Sequence, residues 1–193
     1  MSIVLPRRTD QGWVFDNDDP VYRDHCLGTQ ALHEVYRLAQ PDYSGSVTVQ
    51  TLWDTEPRTI VNNESSEIIR MLNSEFQACT DDKTDYYREP LRKEIDALNA
   101  VIYPTANNGV YRAGFASTQD AYEKACVGVF ATLDQLEERL AARRYLLGDQ
   151  LTEADWRLFP TLVRFDVAYY GAFKCNVRRI VDYPNLWDYT REL

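Results

Sequence analysis

The feature that most constrains the fold is a long helical pattern in the second half of the chain. Apolar side chains recur there at alternating spacings of four and three residues, which places them on one face of an α-helix. The series comprises Tyr122, Cys126, Val129, Leu133, Leu136 and Leu140. A shorter series with the same spacing precedes it and comprises Leu91, Ile95, Leu98 and Ile102. We expect two packed helices, the shorter ending at Pro104 and the longer at Gly148.

Two more helices are expected in the same half. Thr152 and Asp155 have the spacing of a capping box with Asp in place of Glu, so we expect both to be structural. A last helix begins at Pro184 and carries Leu186 and Tyr189. Residues 85–193 are therefore predicted to form an all-helical domain.

The first sixty residues instead mix short apolar runs with turn residues. Residues 2–6 and 47–53 are predicted strands, and residues 59–61 are predicted to complete a hairpin with the second. Helices are expected at residues 29–38 and after Asn62, where capping residues cluster. This order of elements makes up most of a thioredoxin-like domain over residues 1–78, without its first strand and first helix.

Composition excludes several classes of partner. Thirty acidic and 21 basic side chains give a formal net charge of −9, whereas nucleic acid and anionic membranes demand a positive surface. No stretch approaches the roughly 20 consecutive apolar residues of a membrane span, and the N-terminus does not resemble a secretory signal. We therefore expect a cytoplasmic protein that binds neither nucleic acid nor membrane.

The cysteines do not predict a metal site. Cys26, Cys79, Cys126 and Cys175 lie far apart in the sequence, without the close ligand pairs that zinc needs. His25 precedes Cys26, but adjacent side chains on a helix point about 100° apart, so we do not expect a catalytic pair.

Five segments carry a resemblance to one family. They are residues 47–54 (VTVQTLWD), 59–72 (TIVNNESSEIIRML), 107–115 (NNGVYRAGF), 151–160 (LTEADWRLFP) and 173–176 (FKCN). Together, and in this order, they resemble the glutathionyl-hydroquinone reductases, which are Xi-class, omega-related glutathione transferases. The resemblance runs from about Gly12 to the C-terminus. It implies an α/β plus all-α fold, with a partial thioredoxin-like domain followed by an all-helical glutathione-transferase C-terminal domain.

The resemblance also implies a reaction, the thiol-dependent reduction of glutathionyl-hydroquinones. In the family, a cysteine in a Cys-Pro-Trp-Ala motif attacks the glutathionyl sulfur and releases the hydroquinone, and a second glutathione resolves the mixed disulfide. Glutathione is thus a co-substrate, and no cofactor is implied. The family motif falls before the first residue of this chain, and none of the four cysteines aligns with it. We expect a chain without its catalytic nucleophile and impaired as it stands.

Three glutathione-binding positions follow from the resemblance around residue 50 and the helix after it. Glu64 and Ser65 match the pair that holds the γ-glutamyl end, where helix N–H groups meet its carboxylate and Glu64 its ammonium. Val49 matches the residue whose backbone pairs with the cysteinyl amide, and Gln50 replaces the family's cis-proline. Because a non-proline cis bond costs about 3 kcal/mol, we expect a trans bond and a reshaped loop.

A fourth position is Trp13, which matches a tryptophan that packs beside the tripeptide. Each of these positions also has a structural alternative. Trp13 would serve equally as an anchor for the missing first helix, and Asn63 or Ser65 as an ordinary helix cap. Ser46 stands where members often carry an arginine, which removes a partner for a glutathione carboxylate.

Tyr111 and Tyr169 match tyrosines that line the hydroquinone pocket, where a phenol donates to the quinol oxygen and packs against the ring. The chain has thirteen tyrosines, so ordinary packing with a solvated hydroxyl is the alternative. Ala172 replaces a residue that is often histidine in the family.

Two hypotheses compete with an impaired enzyme of this family. One is a non-catalytic binding or dimerisation module on the transferase fold, and the other is a fragment whose activity belongs to a longer parent. In each case we expect association, as a homodimer through the helical domain or through an uncovered sheet edge.

Overall fold

The computed structural model describes the whole chain, residues 1–193, as two compact units, Met1–Asp81 and Asp82–Leu193. The first unit contains two helices and a two-stranded sheet, and the second is all helical, so the predicted fold class is confirmed. The elements are α1 (Leu32–Ala39), β1 (Leu52–Asp54), β2 (Thr59–Asn62), α2 (Ser65–Ser74), α3 (Arg92–Ile102), α4 (Gly109–Gly114), α5 (Gln119–Leu140), α6 (Glu153–Arg164) and α7 (Pro184–Glu192).

The core of the first unit is a small apolar cluster around α1. Leu32, Val35 and Tyr36 are the buried side chains of this helix, and they pack with Phe15. Beside them, β1 and β2 form the predicted hairpin, with antiparallel pairing along the two strands. This hairpin leads directly into α2, none of whose side chains is buried.

Two predicted strands of the first unit are mostly irregular. Residues 2–6 contain no strand; Leu5 N donates one backbone hydrogen bond, to Val14 O at 2.8 Å. Of residues 47–53, only Leu52 and Trp53 belong to a strand. An apolar extended run becomes a strand only where a neighbour pairs with consecutive backbone groups, and the apolar pattern does not report that pairing.

The second unit is built around α5, whose apolar face is the predicted one. Val129 and Leu133 are completely buried, against Ile95 of α3, Leu158 of α6 and Leu186 of α7 in one continuous core. At 22 residues α5 is the longest helix of the chain. No helix combines the length and apolarity needed to cross a membrane.

Helix α3 ends at Ile102, close to the predicted end at Pro104, but the helical path of the chain does not stop there. It continues through a π-helical turn, Tyr103–Asn107, into α4. Within this turn Asn108 N donates to Tyr103 O at 2.8 Å, a bond that spans five residues. Proline lacks one backbone donor, and a wider turn keeps the chain helical without it.

The predicted end of α5 at Gly148 is also wrong, because the helix ends at Leu140. Leu140 is the last buried residue of the periodic series, so no apolar face continues the helix beyond it. Gly148 instead closes a tight turn with Tyr145, with backbone hydrogen bonds of 2.7 and 3.1 Å in the two directions. Its φ of +112° suits a residue without a side chain.

Candidate functional site

The start of α2 presents the two residues expected to hold the γ-glutamyl end of a tripeptide. Glu64 is the N-cap residue, and its own side chain makes no capping hydrogen bond. Asn62 Oδ1 accepts a hydrogen bond from Glu64 N at 2.7 Å, just before the helix. Glu64 and Ser65 are exposed, and the Glu64 carboxylate has no ion-pair partner. Capping by Asn63 or Ser65, the structural alternative, is therefore not what the structure contains.

Asn63 serves instead to join three segments of the first unit. Its Nδ2 donates to Tyr36 Oη at 3.1 Å and to Thr48 Oγ1 at 3.2 Å. Tyr36 Oη donates to Thr48 O at 3.0 Å. Burial raises the pKa of Tyr36, but hydrogen bonds from Thr48, Thr51 and Asn63 outweigh that effect and lower this pKa below its usual value. The network fixes the chain before β1 against the start of α2.

The Val49–Gln50 peptide bond is cis, so the expectation of a trans bond is wrong. The preference for trans is a property of an isolated peptide bond and takes no account of the contacts on either side. With its amide oriented to satisfy both polar atoms, Gln50 donates to Val49 O and accepts from Ser65 N, each at 3.2 Å. Val49 is exposed and its backbone N–H makes no intramolecular hydrogen bond. The structure thus brings Val49 and Ser65 together through one side chain.

Trp13 lies elsewhere in the first unit. Its carbonyl accepts a hydrogen bond from Leu32 N at 2.8 Å, and its ring packs against the α1 cluster and lines a cavity that Val47 also lines. The Trp13 ring thus packs as an anchor against the α1 cluster, and part of the ring also faces the cavity. Ser46 is exposed, and its carbonyl accepts from Tyr43 Oη at 2.8 Å.

Tyr111 and Tyr169 meet in the second unit. Their hydroxyl oxygens are 3.1 Å apart, and their ring centroids are 5.6 Å apart in an edge-to-face arrangement. Tyr169 is buried at 4% exposure, whereas 41% of Tyr111 is exposed. Tyr169 is therefore enclosed by the protein, whereas Tyr111 is accessible to a ligand.

The structure adds two aromatic residues that the sequence argument did not name. Phe173 lies 5.2 Å from Tyr111 and 5.3 Å from Phe115 between ring centroids. A side chain on Gly114 would lie 2.5 Å from Phe173, so only glycine allows this approach. Phe115 lies in segment 107–115 and Phe173 in segment 173–176. Both segments carry the family resemblance, and this was the signal in the sequence that could have identified the two residues.

A π-helical turn positions Tyr169. The turn spans Phe165–Tyr169, and Tyr170 N donates to Phe165 O at 2.8 Å. Burial first, and then the hydrogen bond with Tyr111, raise the pKa of Tyr169 well above its usual value. Tyr169 is therefore a neutral phenol at physiological pH and able to donate a hydrogen bond.

The four cysteines are all unpaired. Cys126 and Cys175 are buried, and burial raises the pKa of Cys175 to about 12, which makes it a poor nucleophile. Cys26 and Cys79 are exposed. The ring of His25 hydrogen-bonds to the carbonyl of Pro20 at 3.1 Å and forms no catalytic pair with Cys26.

Comparison with known proteins places these features in context. The family model described as "Glutathione S-transferase, C-terminal domain" matches residues 119–192. The glutathionyl-hydroquinone reductase PcpF of Sphingobium chlorophenolicum is 55% identical over 186 residues, which cover 96% of this chain and 59% of PcpF. The chain therefore spans about three fifths of the length of the curated relatives it matches.

Solved structures agree with that likeness. The glutathione-bound structure of YqjG, a glutathione transferase homolog from Escherichia coli K-12, matches with a TM-score of 0.96 and 49% identity, over 99% of this chain and 62% of that one. Glutathione transferase Xi 1 from Trametes versicolor matches with a TM-score of 0.95 and 49% identity, over 100% of this chain and 68% of that one.

Proposed function

Because the chain belongs to the glutathionyl-hydroquinone reductase family of Xi-class glutathione transferases, we propose that it binds glutathione and takes part in the thiol-dependent reduction of glutathionyl-hydroquinones. One observation carries the binding part of this proposal. The side chain of Gln50 contacts both the carbonyl of Val49 and Ser65 N at the start of α2, so the backbone of Val49 and the helix N-terminus lie close together.

Each part of the tripeptide has a partner in this arrangement. The γ-glutamyl carboxylate accepts from Ser65 N and gains from the positive end of the α2 dipole, while Glu64 pairs with the ammonium. The backbone of Val49 pairs with the cysteinyl amide, and Trp13 packs beside the tripeptide. Gln50 Oε1 occupies the acceptor position at Ser65 N, so binding requires this side chain to rotate away.

We further propose that the aromatic cluster of the second unit binds the ring of a hydroquinone. The Tyr111 hydroxyl donates a hydrogen bond to a quinol oxygen and remains hydrogen-bonded to the Tyr169 hydroxyl. Phe115, with 75% of its surface exposed, and Phe173 offer rings for stacking. Ala172, which stands where the family often carries a histidine, contributes no polar side chain to this pocket.

The reaction itself needs a thiolate to attack the glutathionyl sulfur. The bond between that sulfur and the quinol ring breaks, the ring carbon takes up a proton and leaves as the hydroquinone, and a mixed disulfide with glutathione forms. We assign that role to none of the four cysteines of this chain. The cycle consumes reduced glutathione, and we therefore propose that the protein works in the reducing cytoplasm.

The protein is also proposed to form a homodimer, because the apolar side chains of Leu72 and Phe76 are exposed. Sedimentation equilibrium measures the mass of the assembly directly.

The test of glutathione binding is a thermal-shift titration with glutathione and a stable S-substituted glutathione. A ligand at 100 times its dissociation constant adds about 2.7 kcal/mol to the free energy of unfolding, which gives a visible rise in midpoint. Glu64→Ala is expected to raise the dissociation constant about tenfold by removing the partner of the ammonium.

Glu56→Ala is the matched control, because Glu56 is an exposed carboxylate in the turn between β1 and β2. Its titration should follow the unaltered chain. If millimolar glutathione leaves the midpoint of the unaltered chain in place, the chain does not bind the tripeptide and the proposal is wrong.

Tyr111→Phe tests the quinol site. Loss of one neutral hydrogen bond of about 0.5–1.5 kcal/mol should raise the dissociation constant of a hydroquinone roughly three- to tenfold, measured by calorimetry. Tyr170→Phe, at the half-buried neighbour of Tyr169, should leave it unchanged. Equal affinities for Tyr111→Phe and the unaltered chain would remove Tyr111 from the site.

A second candidate function is a non-catalytic binding module on the same fold. It is favoured by Gln50, whose amide forms hydrogen bonds with Ser65 N and Val49 O within the chain. The two functions differ in glutathione-dependent turnover of a glutathionylated hydroquinone. Turnover that persists after all four cysteines are changed to serine would exclude every one of them as the nucleophile.

A further inference from the structure

Helix α6 ends with a cation beside the tyrosine pair of the second unit. Arg164 is the last residue of α6 and directly precedes the π-helical turn Phe165–Tyr169. Its Nη1 donates to Pro160 O at 3.2 Å, and the guanidinium forms no ion pair within the chain. Because Arg164 is exposed, its remaining N–H groups are available to other acceptors.

The wide turn brings this guanidinium to the hydroxyl of Tyr169. Tyr169 follows Arg164 by five residues, and a π-helical turn is one residue wider than a turn of α-helix. Burial first, and then Tyr111, raise the pKa of Tyr169, whereas the charge of Arg164 and its hydrogen bond to Tyr169 act in the opposite direction. Tyr111 and Arg164 are therefore the two titratable or charged side chains that act on this hydroxyl.

No carboxylate of the turn neutralises Arg164. Asp166 is the one carboxylate there, and its oxygens instead accept hydrogen bonds from Ile180 N at 2.6 Å and from Val181 N at 3.2 Å. The positive charge of Arg164 is therefore not cancelled locally, and it acts on the Tyr169 hydroxyl.

The cation sets the direction of the hydrogen bond between the two tyrosines, whose hydroxyl oxygens are 3.1 Å apart. A guanidinium group only donates, so the Tyr169 oxygen accepts from Arg164 and the Tyr169 proton points to the Tyr111 oxygen. This arrangement leaves the Tyr111 proton for an oxygen of a ligand. Hydrogen bonds in such a chain polarise and strengthen one another. Tyr111 is thus the last donor of a chain that begins at a positive charge.

We propose that Arg164 is a positioning residue which, through Tyr169 and Tyr111, makes this site prefer a phenolate oxygen to a neutral phenol. The inference rests on the proposed binding of a hydroquinone at Tyr111. It names the chemical form of the hydroquinone that the site stabilises, the ionised one. Preorganised donors aimed at an oxygen that gains negative charge are a strong source of stabilisation.

The proposed reaction produces this charge. The quinol oxygen next to the carbon–sulfur bond first gives up its proton and the ring carbon that bears the sulfur takes one up, which makes that oxygen a ketone. When the thiolate attacks the sulfur, the electron pair of the carbon–sulfur bond moves into the ring and the ketone oxygen becomes a phenolate. A proton then converts the phenolate into the hydroquinone. The oxygen that Tyr111 contacts is therefore negative just after the bond breaks.

The test measures the acidity of a bound phenol and needs no turnover. The probe is 4-nitrophenol, because its ionised form absorbs visible light. Absorbance titrations at a series of pH values give the dissociation constants of the phenol and of its phenolate. The unaltered chain should prefer the phenolate, and Arg164→Gln should reduce this preference about tenfold, a rise of about one unit in the pKa of the bound probe. Arg164→Lys, which keeps a charged donor, should retain most of the preference.

Two further arginines provide controls. Arg143 is exposed and lines a cavity between α3 and α5 that none of the four aromatic residues lines, so Arg143→Gln should leave the preference unchanged. Arg112 is exposed and adjacent to Tyr111 in the sequence. Arg112→Gln should change the preference less than twofold, which separates a role of Arg164 from a general positive field. Thermal midpoints verify that each variant is folded.

Three results would overturn the inference. If Arg164→Gln keeps the preference for the phenolate while Tyr111→Phe weakens binding of the probe, Arg164 has no such role but the hydroquinone site stands. If Arg112→Gln and Arg164→Gln reduce the preference equally, the effect belongs to the surface charge as a whole. If the unaltered chain does not bind the probe at millimolar concentration, the inference and the hydroquinone site fail together, while the titration with glutathione tests the tripeptide site separately.

Discussion

Replacing Asp155 with alanine is expected to lower the free energy of unfolding of the helical unit by about 3 kcal/mol or more. The Asp155 side chain is completely buried. Its carboxylate accepts hydrogen bonds from Leu146 N at 2.9 Å, from Thr152 N and Oγ1 at 2.8 Å, and from Tyr189 Oη at 2.8 Å. It thus joins the loop after α5, the start of α6 and helix α7. Alanine would leave these buried donors without an acceptor, each costing about 1–3 kcal/mol.

The structural role predicted for Thr152 and Asp155 is confirmed by these contacts. Burial first, and then Asp155, raise the pKa of Tyr189 far above its usual value, so Tyr189 stays protonated and keeps donating. Tyr189→Phe, which removes one donor, should therefore cost less than Asp155→Ala.

Urea unfolding followed by circular dichroism measures both changes. Asp149→Ala is the control, because Asp149 is an exposed carboxylate in the same loop. If Asp155→Ala unfolds at the same urea concentration as Asp149→Ala, the carboxylate does not hold these elements together.

Replacing Asp24 with alanine is expected to destabilise the first unit by about 2–3 kcal/mol. Asp24 is 5% exposed and accepts from Ser2 Oγ, from the backbone N–H groups of Cys26, Leu27 and Thr29, and from Thr29 Oγ1, at 2.7–3.3 Å. It therefore closes the loop before α1 and ties the N-terminal segment to it. Without the carboxylate this loop loses its central acceptor.

The same carboxylate predicts a pH dependence. Burial raises the pKa of Asp24, but the hydrogen bonds from Thr29, Cys26 and Ser2 outweigh burial and lower it to about 2, against 3.8 in the unfolded chain. A carboxyl with a lowered pKa in the folded state stabilises the protein fully above pH 3.8 and loses that contribution as the pH falls toward 2. The difference corresponds to about 2 kcal/mol.

Thermal midpoints between pH 7 and pH 2 test this dependence. The unaltered chain and Asp18→Asn, a change at an exposed carboxylate of the same loop, should lose stability alike on acidification. Asp24→Asn should start lower at pH 7 and lose less between pH 4 and pH 2. Parallel curves for all three proteins would contradict the assignment to Asp24.

The candidate site shows where the sequence was informative and where it was not. Tyr111 and Tyr169 were named from the sequence through a family likeness, and the structure brings their hydroxyls together. The approach of Arg164 to Tyr169 was not predictable, because it depends on a π-helical turn that no periodic pattern reports. The contact of Phe173 with Gly114 was equally hidden, since nothing local relates the two residues.

The sequence by itself determined the helical character of the second unit, the hairpin of the first and the capping at Thr152, because these depend on residues within a few positions of each other. Only the tertiary structure decided the ends of the helices, the cis bond at Val49 and the fate of residues 2–6. A π-helical turn carries the chain past Pro104 when packing supports it, and a segment becomes a strand only when a distant segment pairs with it. Such outcomes depend on contacts between residues far apart in the chain, which no local pattern records.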